Sequence, residues 1–181
     1  MAILGDRWRS FETATCLRFN QTHRHAGWGA IMRIASRLGD GWVWAAAVAA
    51  VAVAHGDGRG LGHALLMLVA GALATALYRA IKGGTRRPRP SAVLAALSLS
   101  VPPLDRFSFP SGHTLHAVLF TVIAWWSVPW LGAVLAPCCL LVATSRLVLG
   151  LHWPSDVLAG AAIGGGLAAS AIALAPCLGL A

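Results

Sequence analysis

The run of side chains at residues 61–81, with Arg79 its single formal charge, is long and apolar enough to decide the solvent of the whole chain. A helix of that length matches the roughly 30 Å hydrocarbon core of a bilayer. Lipid offers no partners to N–H and C=O groups, so a span satisfies them internally, as a helix does. Comparable runs occupy residues 113–128, 130–149 and 154–180, and residues 41–55 form a shorter one that must borrow length upstream to cross or sit where the protein is thin. These runs predict an all-α, multi-pass transmembrane helical bundle of about five spans. Composition agrees, with 57% hydrophobic and only 11% charged residues and a mean hydropathy of +0.70, where soluble chains carry about 25% charge.

Residues 1–181 read as one domain, with 1–38 an interfacial amphipathic segment and 39–181 a catalytic helical core. Within the former, Trp28, Ile31, Ala35 and Leu38 recur at helical spacing with Arg33, Ser36 and Arg37 opposite, the pattern of a helix lying in the membrane surface. An amphipathic helix packed on the domain is the alternative. That segment is too charged to contain the apolar core of a cleavable signal. The net charge, +8 from 14 basic and 6 acidic residues, would suggest nucleic acid in a soluble protein. Here the basic residues cluster at the ends of apolar runs, so anionic lipid or a phosphorylated substrate is the expected partner, and nucleic acid is not. Cys16, Cys138, Cys139 and Cys177 show neither a CxxC pair nor metal-ligand spacing. Gly160, Gly164, Gly165 and Gly166 supply a small-residue face for helix packing. His23, His25, His55 and His63 lack a partner pattern and are expected at the surface.

Alternation of the spans brings the ends near Lys82, His113, Arg146 and Asp156 to one membrane face, and three polar stretches converge there. In residues 145–156, SRLVLGLHWPSD, Pro154 suits the first turn of a helix. Asp156, four residues after His152, can accept the N–H of one imidazole nitrogen and leave the other with a free lone pair. The competing reading is a capping aspartate with a histidine beside it. In residues 82–90, KGGTRRPRP, Pro88 and Pro90 hold Arg87 and Arg89 extended; alone, such a basic cluster is as well explained by lipid headgroups. In residues 109–116, FPSGHTLH, a helix start at Ser111, Gly112 and His113 offers unpaired amides to an anion, and His113 stands where it can protonate a leaving oxygen. His116 invites a metal reading with His113, but no third ligand accompanies the pair. The connection 91–109 has an apolar piece too short to cross; in it Asp105 and Arg106 can pair with each other.

Lys82, Arg89 and Pro90, then Pro110 to His113, then Ser145, Arg146, His152 and Asp156, stand in an order and at spacings that resemble the type 2 phosphatidic acid phosphatase superfamily. That superfamily includes membrane lipid phosphate phosphatases, bacterial acid phosphatases and vanadium haloperoxidases. The resemblance implies that Lys82, Arg89 and Arg146 hold a phosphate with Ser111 and the Gly112 amide, without metal or cofactor. It also implies that His152 attacks phosphorus to form a phosphohistidine, that Asp156 orients it and that His113 protonates the leaving group. Larger membrane members have six spans, whereas here an amphipathic segment stands in place of the first.

The activity so implied is hydrolysis of a phosphomonoester or diphosphate of a membrane lipid, of phosphatidic acid, phosphatidylglycerol phosphate, undecaprenyl diphosphate or lipid A type. Arg86 and Arg87 are positioned in sequence to meet a second phosphate, although a solvated basic patch explains them equally well. Alternatives are a phosphotransferase, a haloperoxidase-like vanadate pocket, or a lipid-binding membrane protein without catalysis. The location implied is the cell (inner) membrane. If residues 1–38 lie on the motif-bearing face, the basic residues there would place it in the cytoplasm by the positive-inside rule. Membrane phosphatases of this type work outside, and the expectation is a site facing periplasm or exterior.

Overall fold

A computed structural model describes residues 2–55 and 58–180 of the chain; Met1 and Ala181, the ends of the expected domain, lie outside them. Eight helices make up the described residues: α1 (Ala2–Thr22), α2 (Ala26–Leu38), α3 (Trp42–Ala54), α4 (Arg59–Thr85), α5 (Pro90–Val93), α6 (Gly112–Ser127), α7 (Pro129–Val148) and α8 (Pro154–Leu174), followed by a 3₁₀ turn at Ala175–Leu178. This is the all-helical bundle that the apolar runs predict. Arg59–Val93, Pro129–Val148 and Pro154–Leu178 are each long and apolar enough to cross a membrane, and α2 with α3, bent by 55°, reaches that length as one broken span. The expected count of five is higher because α6, at 16 residues, is about 24 Å long at 1.5 Å per residue. The upstream neighbour from which the short run at 41–55 can take length is α2.

Helix α2 is amphipathic and packs on the domain, the second of the two arrangements that its pattern allows. Its buried face is Gly29, Met32, Ala35 and Ser36, with Met32 packed in a cluster with Val148, Leu149 and Leu151, while Ile31, Ile34 and Leu38 point outward. Ala35 and Ser36, expected on opposite sides, therefore share the protein-facing side.

Leu115, Leu119, Phe120 and Ile123 of α6 join Trp44 and Val51 of α3, Met67 and Ala70 of α4, and Leu135 and Val142 of α7 in the main core. Helix α8 approaches α6 most closely. A Cβ at Gly160 would lie 2.6 Å from the Ser111 carbonyl, and one at Gly164 would lie 2.3 Å from that of Leu115. Gly164→Ala is expected to cost about 1–3 kcal/mol, since the neighbour is backbone and cannot rotate away. Thermal unfolding in detergent measures it, with Gly166→Ala, which meets nothing within 4 Å, as the control that stays unchanged. An equal response of the two variants would mean that α8 can shift away from α6 at no cost.

One expected surface residue is buried. His63 is only 6% exposed, with Nδ1 2.7 Å from Ser127 Oγ and Nε2 2.9 Å from the Leu180 carbonyl. Both ring nitrogens find partners far away in sequence, which no local pattern could signal.

Candidate active site

Lys82 occupies the last turn of α4. The chain then leaves the helix at Arg86 (φ 46°), and Arg89 is extended at φ −74°, ψ 152° before Pro90 opens α5, as the two prolines require. Ser111 caps α6, Arg146 lies in the last turn of α7, and Pro154 begins α8. His152 sits between these last two helices, its N–H bonded back to the Arg146 carbonyl at 3.1 Å. Lys82, Arg89, Gly112, His113, Arg146 and His152 together line one cavity of about 780 Å³.

His152 is 2% exposed. Arg89 Nη1 donates to its Nε2 at 3.2 Å, which leaves the proton on Nδ1, and that atom faces Asp156 Oδ2 at 3.6 Å. The imidazole is neutral: burial, and then the positive charges of Arg89, Arg146 and Lys82, push its pKa well below the ordinary value. Asp156 is fully buried. Its Oδ2 accepts the Trp153 N–H at 2.8 Å and its Oδ1 accepts Arg87 Nη1 at 2.8 Å.

The cations are held differently. Arg146 is 4% exposed, and its Nε and Nη1 have no protein partner. Lys82 Nζ and Arg89 Nη2 both donate to Asp105, at 2.6 Å each. Burial opposes the ionisation of Asp105, but the bonds and charges of Lys82 and Arg89 outweigh it and hold the carboxyl below its usual range. That contribution to stability is therefore present above the carboxyl's unfolded pKa and is lost as pH falls through the lower folded one. His113 donates from Nε2 to Asp40 Oδ1 at 2.8 Å.

The match to a family model decides what this arrangement belongs to: residues 63–177 fit the PAP2 superfamily. The chain is a PAP2 superfamily member. The PAP2 chain is 42% identical over 100 residues to the decaprenylphosphoryl-5-phosphoribose phosphatase of Mycolicibacterium smegmatis, covering 52% of this chain and 51% of that protein. It is 38% identical over 104 residues to the Mycobacterium tuberculosis protein of the same name, strain H37Rv, with 54% of each covered. The chain thus spans about half the length of the curated relatives it matches. In fold it is similar to the transmembrane PAP2 type phosphatidylglycerolphosphate phosphatase of Bacillus subtilis (TM-score 0.76, 23% identity, 94% of this chain and 87% of that one). It is also similar to LpxE of Aquifex aeolicus (TM-score 0.74, 24% identity, 87% and 92%).

Four expected contacts are placed otherwise in the PAP2 chain. Ser111 is fully buried; its N–H donates to the Asp156 carbonyl at 3.0 Å and its Oγ faces Thr114 Oγ1 at 3.0 Å, so the amides of Gly112 and His113 are what remain of the cradle. Arg87 does not line the cavity, because Glu12, Ser155 and Asp156 take its guanidinium. Arg86 also lies outside it, bonded to the Gly83 carbonyl at 3.2 Å. Asp105 pairs with the cations rather than with Arg106, which lies over Phe107. The one sequence signal for the roles of Asp40 and Asp105 is that acidic residues are few, six against 14 basic ones, so each calls for a basic partner.

Proposed function

We propose that the chain is an integral-membrane phosphatase that removes a phosphoryl group from a lipid through a phosphohistidine at His152. The observation that carries this reading is Arg146. Two buried guanidinium nitrogens without a protein partner are costly, and an anionic group seated beside His152 would supply the acceptors. The nucleophile, the cations and the acid then have separate places around one phosphorus.

In the first step the Nε2 lone pair of His152 attacks phosphorus and the P–O bond to the leaving group breaks. The ring keeps its Nδ1 proton, becomes cationic and is stabilised by Asp156. The departing oxygen takes the Nδ1 proton of His113 in its doubly protonated form, while Asp40 holds the Nε2–H. Water then attacks phosphorus, giving its proton to His113 as the P–N bond breaks, and phosphate leaves with His152 neutral again. Arg146, Lys82 and Arg89 neutralise the equatorial oxygens throughout.

The cavity extends from these cations to apolar side chains at Trp44, Val48, Leu68 and Phe120, which fits a phosphorylated headgroup followed by a hydrocarbon chain. Arg87 is committed elsewhere, so a phosphomonoester is favoured over a diphosphate. The names of the curated relatives add a polyprenyl-linked sugar phosphate to phosphatidic acid, phosphatidylglycerol phosphate and lipid A phosphate as substrates to try. Phosphate release from these lipids by purified protein in detergent tests the reading. Activity is expected to survive a chelator and to be inhibited by orthovanadate; loss with chelator and recovery with magnesium would overturn it.

Asp105 occupies Lys82 and Arg89, so a substrate phosphate has to displace it. Asp105→Asn is expected to tighten orthovanadate inhibition severalfold, since a neutral amide competes less for the two cations. Weaker inhibition would mean that Asp105 organises those cations instead.

We place the site on the outer face of the cell membrane. The C-terminal turn bonds to His63 at the end of the bundle away from the cavity, so a fluorescent protein fused after Ala181 should glow in the cytoplasm. A dark fusion together with an active alkaline phosphatase fusion would reverse the orientation.

A further inference from the structure

Helix α1 precedes the region matched by the family model, yet it sends three buried side chains to the segment that carries the nucleophile. Glu12, Cys16 and Asn20 are 2%, 0% and 4% exposed and lie one turn apart along a single face. Asn20 Nδ2 donates to the Val148 carbonyl at 3.0 Å and to the Ser98 carbonyl at 3.1 Å, and its Oδ1 accepts the Ser98 N–H at 3.0 Å. Cys16 Sγ lies 3.9 Å from the His152 carbonyl, as donor; burial pushes its thiol up to about 12, so it stays protonated. Glu12 Oε2 accepts Arg87 Nη2 at 2.6 Å, while Oε1 accepts the Ser155 N–H at 3.2 Å and the Ser155 hydroxyl. Arg87 in turn bridges to Asp156 and stacks over the Trp153 ring at 5.3 Å.

We propose that Glu12 is a positioning residue for the nucleophile, the outermost member of a chain His152, Asp156, Arg87, Glu12. The inference rests on the phosphatase reading and extends it to a helix outside the matched region. Two consequences follow from the charges and the geometry. Arg87 alone would neutralise Asp156; with Glu12 opposite, the trio keeps one net negative charge behind the ring that becomes cationic when His152 attacks. Glu12 also fixes both ends of the wedge that holds Asp156, Arg87 on one side and the first turn of α8 at Ser155 on the other. Its effect therefore falls on the rate of attack and not on phosphate binding, which belongs to Lys82, Arg89 and Arg146 in front of the ring.

The test uses the full chain in detergent with phosphatidic acid and with the other lipids of the panel, and inorganic phosphate, a ground-state ligand, as the binding probe. Glu12→Gln keeps the size and one acceptor but removes the charge; Arg87→Lys keeps the charge but replaces the planar fork with a single nitrogen. Each is expected to lower kcat about tenfold to a hundredfold with KM and inorganic phosphate affinity unchanged. The double variant should be no slower than the worse single one, as for residues acting in one chain. An unchanged kcat in Glu12→Gln, additive losses in the double variant, or a parallel fall in inorganic phosphate affinity would each overturn the proposal. Wild-type protein that releases no phosphate from any lipid, while still binding inorganic phosphate, would instead overturn the phosphatase reading beneath it.

Discussion

His152→Ala is expected to lower phosphate release by about 10⁴-fold or more, the loss typical when a covalent nucleophile is removed. The geometry gives the reason. Burial and three cations keep the ring neutral, Asp156 faces its Nδ1, and Arg89, which donates to Nε2, can turn to the incoming phosphate and release that lone pair. His113→Ala should also be slow on a lipid alkyl ester, but for a separate reason. An alkoxide needs its proton, whereas a nitrophenolate departs without one. With p-nitrophenyl phosphate as a second substrate, His113→Ala should recover by two or more orders of magnitude relative to the lipid, and His152→Ala should not recover at all. Equal recovery of both variants would exchange or abolish the two roles.

Arg146→Ala carries the second large effect, about 10²–10³-fold in kcat, the scale of removing one prearranged donor to developing charge. Its signature is a divergence between activity and stability. The two unpartnered nitrogens are a burden on the folded protein that only a bound anion relieves. Removing them should therefore leave the thermal midpoint unchanged or raise it while activity collapses, the trade expected where a site is built at the expense of stability. Arg146→Lys should restore part of the charge but little of the rate, because an ammonium cannot present two parallel donors. If the midpoint falls with activity, the residue holds the fold and not the phosphoryl group.

The parts of this molecule that are visible along the chain are those fixed by short spacing. The four-residue step from His152 to Asp156, the prolines after Arg87 and Arg89, and the alternation of apolar runs all act within one turn or one span, so they can be read from the sequence. The partners that complete the site act across much longer separations: 23 residues from Lys82 to Asp105, 73 from Asp40 to His113 and 143 from Glu12 to Ser155. No periodicity encodes those pairings, since they arise only when helices pack. For the same reason Arg87 looked like a ligand. Its place in a basic run is a local fact, and its capture by two buried carboxylates is a tertiary one. Ser111 erred in the other direction, because an N-terminal amide in a helix is free only if no neighbouring carbonyl reaches it, and here that of Asp156 does.

That last bond, from the Ser111 amide to the Asp156 carbonyl, joins the segment bearing the proton donor to the segment bearing the nucleophile. With α8 held against the Ser111 carbonyl at Gly160, the two segments move as one body. The separation of His113 and His152 is then a property of the scaffold, whatever occupies the cavity. The rim is built on other terms: Pro103, Leu104 and Phe107 come from an irregular connection outside that body. Substitutions there can change which headgroup is admitted while the path of proton and phosphorus stays as it was, so selectivity and chemistry can be altered one at a time.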